Sequence, residues 1–308
     1  MKVFLTGATG VAGRATVPAL LAAGHQVRAV SRRPEAAAVL EAAGAEPVTV
    51  DLFDADAVRD AVVGSEAVVH LATNVPEMSK AARPRGWEQH NRLRVDATRN
   101  LVAAARATGA TRFVKESITF VYADGGDTWL DESAPLLADL GLLAPTIEGE
   151  DLALGFASDG DTAVVLRFGL FYGGAGNRGT DENLRLARFR RSQIAGDTGN
   201  YMSSIHCDDV ATAVVAALDV PTGIYNVTDD EPMTRGAYLT AFATAFGVKV
   251  PKPTPGRLVK LLGGPSAGGL IASQRVSNRR FRDASGWAPA YPDARVGWSA
   301  VAAARGDR

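Results

Sequence analysis

The chain has 308 residues, of which 46% are hydrophobic and 22% charged, and its formal net charge is −1. These ordinary values exclude a collagenous, disordered or disulfide-stapled protein. The balanced charge gives no electrostatic reason to expect nucleic acid or a membrane surface as a partner. Cys207 is the single cysteine, which excludes an internal disulfide and a cysteine-rich metal site.

The first residues carry no targeting signal that we can recognise. They lead directly into glycines, without the apolar region and cleavage site of a signal peptide. No apolar run reaches the roughly 18 residues that a membrane span needs. We therefore expect the fold to start at residue 1 and the protein to be cytoplasmic.

Short apolar runs alternate with helical patterns through the first half of the chain. The predicted strands are Val3–Thr6, Val27–Ser31, Glu46–Asp51, Ala67–Ala72, Arg112–Glu116 and Val164–Phe168. The predicted helices are Gly13–Gly24, Pro34–Gly44, Asp54–Gly64, His90–Thr108 and Thr146–Ala157. Strands that are apolar on both faces are typical of a parallel sheet covered by helices on both sides. The alternation predicts an α/β protein with a Rossmann-type doubly wound parallel sheet.

The regular alternation ends after Gly173. We predict a glycine-rich loop over Gly173–Gly179, a basic helical stretch over Asp181–Ile194 and a loop over Pro251–Pro255. Further predicted elements are the helix Asp208–Leu218, the strand Ile224–Asn226 and the helix Thr234–Phe246.

A glycine-rich turn joins the first predicted strand to the first predicted helix. Such a turn leaves room for a pyrophosphate and directs helix N–H groups towards it. The other interpretation is a tight turn that only allows close helix–sheet packing. The candidate cofactor-binding residues of this turn are Gly7, Thr9, Gly10, Val11 and Gly13.

The end of the second strand indicates which dinucleotide is bound. NAD-selective sites usually carry an acidic residue there, but this chain has Ser31, Arg32 and Arg33. Hydroxyl and guanidinium groups suit a 2′-phosphate, so we expect NADP(H) to be preferred over NAD(H). A solvated loop in an arginine-rich chain is the alternative. Further cofactor contacts are expected after the third and fourth strands, from Asp51, Leu52, Leu71, Ala72 and Thr73.

These features together resemble the extended short-chain dehydrogenase/reductase superfamily, in its NAD-dependent epimerase/dehydratase group. Besides the glycine turn, the matching elements are Asp51-Leu52, His70-Leu71-Ala72, Arg167–Gly173, Ile205–Ala211 and Gly286-Trp287. The resemblance implies a Rossmann sheet of about seven strands and a smaller substrate lobe. We expect an NADP-binding domain over residues 1–172, completed by parts of 205–230, and a substrate lobe over 173–308. The resemblance also implies a small-molecule substrate and a homodimer that could pair through Asp96–Ala107, although a helix that only packs on the sheet fits that stretch equally well.

The chain departs from this superfamily at its catalytic motif, Tyr-x-x-x-Lys. In the corresponding segment Thr146 stands where the tyrosine is expected and Glu150 where the lysine is expected. A threonine hydroxyl is a far weaker acid than a phenol, and a glutamate anion raises a neighbouring pKa instead of lowering it. The usual proton relay is therefore absent.

Four residues are candidates for catalytic roles: Ser117, Tyr122, Thr146 and Glu150. Ser117 matches the superfamily's hydroxyl at the end of the fifth strand, although a strand-end hydroxyl would look the same. Glu116 is either a site residue or a solvated strand end, with Lys115 as a candidate structural partner. Tyr122 is either a hydroxyl acid or a packed loop aromatic.

Two functional hypotheses follow. The first is an NADP(H)-dependent oxidoreductase or epimerase-like enzyme with a non-standard proton relay. Its substrate would be a small carbonyl, an alcohol or a nucleotide-sugar-like molecule. The second hypothesis is a catalytically silent NADP(H)-binding sensor or interaction protein. The sequence gives no indication of a metal site.

Overall fold

A computed structural model describes residues 1–75, 84–174, 177–263 and 267–306. In chain order, the strands β1 to β15 are Lys2–Thr6, Gln26–Val30, Glu46–Val48, Ala67–His70, Arg112–Ile118, Trp129–Leu130, Thr162–Phe168, Leu170–Tyr172, Arg191–Ala195, Tyr201–Met202, Ser204–His206, Gly223–Val227, Met233–Thr234, Lys252–Thr254 and Arg275–Val276. The helices of the described residues, α1 to α13, are Val11–Ala22, Pro34–Ala42, Ala55–Val62, Glu88–Arg92, Thr98–Thr108, Ala144–Leu154, Arg178–Ala187, Cys207–Ala216, Arg235–Ala245, Gly256–Gly263, Ala267–Ile271, Arg279–Ser285 and Ala294–Arg305.

A seven-stranded sheet forms the centre of the fold, in the order β12-β7-β5-β4-β1-β2-β3. The strands from β5 to β3 pair in parallel, with Val3 opposite both Val27 and Ala67. The order reverses between β1 and β4, which is where doubly wound sheets bind their ligands. The predicted Rossmann-type fold is confirmed.

By internal contacts the chain divides into two units. The first contains residues 1–117, 144–166 and 210–225, and the second contains 118–143, 167–209 and 226–308. The core of the first unit packs Phe4, Leu101 and Phe113 with smaller aliphatic side chains from the helices. The second unit has an aromatic core around Trp298, with Tyr172 and Phe242 against it. The predicted domains, an NADP-binding domain over residues 1–172 completed by parts of 205–230 and a substrate lobe over 173–308, stay a prediction.

The structure corrects two predicted elements in the second half. The predicted basic helix over Asp181–Ile194 is helix α7 only as far as Ala187, after which the chain turns at Arg190 and forms β9. The predicted proline-rich loop contains β14, which pairs in parallel with β9. Each strand exists because the other provides its hydrogen-bonding partner, and neither sequence alone signals that pairing. Part of the predicted glycine-rich loop, residues 175–176, lies outside the described residues.

Boundaries in the first half shift by a few residues. The predicted helix over Gly13–Gly24 begins at Val11, because the Gly10 N–H closes the preceding turn on the Gly7 carbonyl at 2.9 Å. The predicted helix over His90–Thr108 is α4, a π-helical turn over Leu93–Ala97, and α5. Within the described residues, no helix has both the length and the hydropathy of a membrane span.

Candidate active site

The glycine turn is held by close backbone contacts. Gly7 has φ +80°, a conformation that glycine adopts without strain. A Cβ atom on Gly13 would lie 2.1 Å from the Gly7 carbonyl oxygen, and one on Gly7 would lie 2.6 Å from the Leu71 backbone. Both positions therefore require glycine. This allows the short turn over residues 7–10 to connect β1 to α1.

The start of α1 has the properties of an anion site. Its N-cap, Gly10, makes no side-chain capping bond, and the first turn contains no acidic residue. The first N–H groups of a helix have no partner within the helix, and the helix dipole favours negative charge there. The turn and the helix end thus fit the pyrophosphate of a dinucleotide.

The two arginines after β2 are available for a ligand. Both are exposed, and within the described residues neither guanidinium makes a hydrogen bond or an ion pair. Ser31 is buried, and its hydroxyl donates to the Arg33 carbonyl at 3.1 Å. These groups fit a 2′-phosphate, which a guanidinium binds through two parallel hydrogen bonds.

The other two predicted cofactor loops also lie at this edge of the sheet. The Asp51 carboxylate accepts from the Phe53 N–H, and the Leu52 carbonyl accepts from the Asn100 side chain. The Leu71 N–H donates to the Thr6 carbonyl, which ties its loop to β1. Ala72 is partly buried and Thr73 is exposed. Cofactor contacts by Asp51, Leu52, Leu71, Ala72 and Thr73 stay a prediction.

A row of polar side chains crosses the sheet at its carboxyl edge. Thr6, His70 and Lys115 occupy neighbouring register positions on β1, β4 and β5. The His70 Nε2–H lies 3.1 Å from the Leu93 carbonyl, and the Thr6 hydroxyl lies 2.6 Å from Nδ1. Burial and the nearby Lys115 charge hold the pKa of His70 well below its usual value. His70 is therefore neutral, with its proton fixed on Nε2 and Nδ1 as an acceptor.

Two of the predicted catalytic residues contact each other. The Ser117 hydroxyl, at the end of β5, donates a hydrogen bond to Glu150 Oε1 on α6. Both residues are buried, with Glu150 only 1% exposed. Thr146 lies one turn before Glu150, is equally buried, and its hydroxyl has no hydrogen-bond partner within the described residues. The site thus combines a serine, a carboxylate and an unpartnered hydroxyl.

Glu116 forms a buried ion pair with Arg94. Its two carboxylate oxygens accept from Arg94 Nη1 and Nη2 at 2.7 and 3.2 Å, and Nη1 also donates to the Glu116 carbonyl at 3.0 Å. Arg94 is therefore the ion-pair partner of Glu116, and Glu116 is not a solvated strand end. Removing one partner of such a pair strongly destabilises the protein, because the charge of the other partner stays buried without compensation.

Tyr122, the fourth predicted catalytic residue, belongs to the second unit. Its hydroxyl donates to Asn226 Oδ1 at 2.8 Å and accepts from Arg167 Nη1 at 3.0 Å. Burial raises its pKa, against the opposing effect of Arg167. These contacts describe a packed, fully hydrogen-bonded tyrosine; a catalytic role for it stays a prediction.

Sequence reasoning missed Arg94 and Gly149. A Cβ on Gly149 would lie 2.3 Å from the Arg94 carbonyl oxygen and 2.9 Å from Lys115 Cε. Gly149 therefore lets α6 approach the π-helical turn and β5, which brings the next residue, Glu150, to Ser117. The only signal in the sequence was a glycine inside a predicted helix, which often has a packing reason.

Comparison with known proteins identifies the family. Residues 3–228 match the model of the NAD dependent epimerase/dehydratase family. The chain belongs to this family, and it is an enzyme of the oxidoreductase and epimerase class that uses a nicotinamide dinucleotide.

Three similar proteins illustrate the range of the family. The chain is 37% identical over 310 residues to 3-diazoavenalumate denitrifying reductase of a Streptomyces species, which covers 96% of this chain and 99% of the relative. It is 31% identical over 255 residues to 4-hydroxy-2-methyl-3-oxo-4-farnesyl-3,4-dihydroquinoline-1-oxide ketoreductase of Stigmatella aurantiaca, covering 81% and 74% of the two chains. The human epimerase family protein SDR39U1, crystallised with NADPH, shares the fold with a TM-score of 0.81, 23% identity and coverage of 98% and 99%.

Proposed function

We propose that the protein is an NADPH-dependent reductase whose hydride acceptor is a small aromatic diazo compound in its cationic, diazonium form. When bound, the reduced nicotinamide supplies the hydride. The glycine turn from Gly7 to Gly13 would hold its pyrophosphate, and Ser31, Arg32 and Arg33 would hold the 2′-phosphate that distinguishes NADPH from NADH. The two arginines support this preference because they are exposed and have no protein partner within the described residues.

The contact between Ser117 and Glu150 carries the proposal. While Glu150 is ionised its carboxylate can only accept, so the Ser117 hydroxyl gives its hydrogen to Glu150 and offers lone pairs, and no hydrogen, to a substrate. Glu150 adds a carboxylate at the position where the superfamily has a lysine. The lone pairs of Ser117 and the carboxylate of Glu150 suit a hydride acceptor that is positively charged.

The chemistry of a diazonium ion matches a site without an acid. When an arenediazonium accepts a hydride at carbon, a carbon–hydrogen bond forms and dinitrogen leaves with the electrons of the carbon–nitrogen bond. The positive charge of the ion and the negative charge of the hydride cancel, so no proton enters the reaction. Reduction of a ketone differs, because the alkoxide that forms must take up a proton.

The names of two relatives support the two types of hydride acceptor, a diazo compound and a ketone. The denitrifying reductase is named for a diazo substrate, and it is similar to this chain over nearly the full length of both. The ketoreductase is named for reduction of a ketone, and Ser117 is the residue that favours carbonyl reduction as the second candidate function. In that case Glu150 would have to be protonated and donate to Ser117, which would then donate to the carbonyl oxygen. The catalytically silent alternative is not favoured, because these relatives are named reductases.

The test follows the fate of the transferred hydride. The purified protein is incubated with deuterated NADPH and either an arenediazonium salt or a ketone, and the products are analysed by mass spectrometry against reactions without enzyme. We expect deuterium on the ring carbon that carried nitrogen, together with release of dinitrogen. Turnover of ketones with no enzyme-dependent reduction of any diazonium would overturn the proposal.

Two variants connect the reaction to the site. Glu150→Gln removes the charge but keeps the shape, and we expect it to lower kcat/KM for the diazonium about tenfold or more, since a hydrogen bond to a charged group is worth roughly 1.5–3 kcal/mol. Glu148→Gln, two residues earlier and exposed beside Arg99, is the matched control and should leave the activity unchanged.

A further inference from the structure

Lys115 is a buried lysine for which the proposed reaction has so far no use. It lies on β5, two residues before Ser117, and its side chain is only 1% exposed. Lysine is almost never fully buried unless its ammonium has a compensating charge. The identity of that charge determines what Lys115 does.

The charged and titratable groups around Lys115 come from its own strand and from four further elements. His70 on β4 and His90 on α4 are neutral, since burial and nearby cations hold both pKa values down, that of His90 at about 3. Arg94 is a cation, and both carboxylate oxygens of Glu116 accept from it. Among the described residues that act electrostatically on Lys115, Glu150 is then the remaining carboxylate.

The backbone places Lys115 and Glu150 next to each other. Residues two apart on a strand project to the same face, so Lys115 and Ser117 share the face that α6 covers. The Lys115 side chain passes under α6 at Gly149, where an added Cβ would be 2.9 Å from Cε. Lys115 Cε therefore lies beside the residue that directly precedes Glu150.

We propose that Lys115 is a positioning residue for the reaction, whose ammonium is the counter-charge that keeps the Glu150 carboxylate directed at Ser117. This inference rests on the proposed function only for the statement that Glu150 faces the reacting substrate. Lys115 would thus supply, from β5, a positive charge that the superfamily supplies from the helix.

The electrostatics agree with this arrangement. Burial and the nearby Arg94 charge lower the pKa of Lys115 to about 7, against the opposing effects of Glu116 and Glu150. Because the Glu150 charge raises the pKa of Lys115, removing that charge must lower this pKa further.

The first test needs no substrate. The protein has six lysines, so NMR of isotopically labelled lysine side chains gives few signals, and the Lys115→Arg spectrum assigns the one of interest. We expect Lys115 to titrate near pH 7 in the wild type and about 1–3 pH units lower in Glu150→Gln, the usual effect of a nearby opposite charge. Glu148→Gln should leave the titration in place. A normal lysine pKa, or no change in Glu150→Gln, would overturn the inference.

The second test uses the kinetics of diazonium reduction. Lys115→Met removes the charge that orients Glu150, and we expect the loss to appear in kcat more than in KM. Lys115→Arg, which keeps a positive charge, should restore kcat. An equal loss of kcat in both variants would show a structural role only.

The two proposals fail separately. If Lys115 titrates as expected but no diazonium is reduced, only the proposed function is wrong. If diazonium reduction occurs without any coupling between Lys115 and Glu150, only the role of Lys115 is wrong. Should the Lys115 variants not fold, the wild type and Glu150→Gln still decide, with the lysine signals identified by their titration.

Discussion

Gly149→Ala tests the close approach that brings Glu150 to Ser117. The new Cβ would lie 2.3 Å from the Arg94 carbonyl oxygen, roughly 1 Å inside an ordinary carbon–oxygen contact. The carbonyl oxygen belongs to the backbone, and the position of a Cβ is fixed by its own backbone. The overlap can therefore be relieved only by moving α6 away from the π-helical turn. Overpacking of this kind typically destabilises a protein by about 1–3 kcal/mol. The higher helix propensity of alanine would offset up to about 1 kcal/mol of that loss.

Gly155→Ala provides the matched control. Gly155 directly follows α6, and a Cβ there would meet no atom within 4 Å. This variant should be as stable as the wild type or slightly more stable, by a few tenths of a kcal/mol, because alanine restricts the unfolded chain.

Urea denaturation followed by circular dichroism measures both variants under the same conditions. We expect Gly149→Ala to unfold at lower urea, and to lose reductase activity even where it is fully folded, since Glu150 moves with α6. Gly155→Ala should retain both properties. Equal stability and activity of the two variants would refute the close packing of α6 against Arg94 and Lys115.

Three further predictions concern the cofactor, a buried carboxylate and Tyr122. Arg32→Ala should weaken NADPH binding more than NADH binding, by roughly 1–3 kcal/mol if a charge-assisted contact is lost, and calorimetry that finds equal losses would disprove the 2′-phosphate contact. Asp229 is buried, and burial raises its pKa well above the usual value, so the folded state keeps a proton that the unfolded state releases. Stability should therefore fall as pH rises from the ordinary carboxyl pKa through the raised one, and the thermal stability of Asp229→Asn should gain on the wild type between pH 5 and pH 8. A constant difference at both pH values would contradict this. Tyr122→Phe leaves Asn226 and Arg167 without their shared hydroxyl, so we expect a loss of about 1–3 kcal/mol in stability with unchanged kcat, whereas a loss of several orders of magnitude in kcat would identify Tyr122 as a proton donor.

The sequence predicted the parts of the protein that depend on local pattern. Apolar strands alternating with helices indicated the doubly wound sheet, because a strand buried on both faces must be apolar throughout. The glycine turn was recognisable because its position between a strand and a helix requires residues without a side chain. The absence of Tyr-x-x-x-Lys was also visible directly, and it separated this chain from the chemistry that its fold would suggest.

Only the tertiary structure showed how the charges pair. The partner of Glu116 is Arg94, which is 22 residues away in sequence and on another element. The hydrogen bond of Ser117 to Glu150 spans 33 residues and depends on the close approach at Gly149. Such pairs form because burial forces each charge to find a counter-charge, and which one it finds depends on helix packing that no local pattern encodes. The sequence by itself determined which polar groups the site contains, whereas their contacts, and the chemistry that follows from them, were decided by the fold.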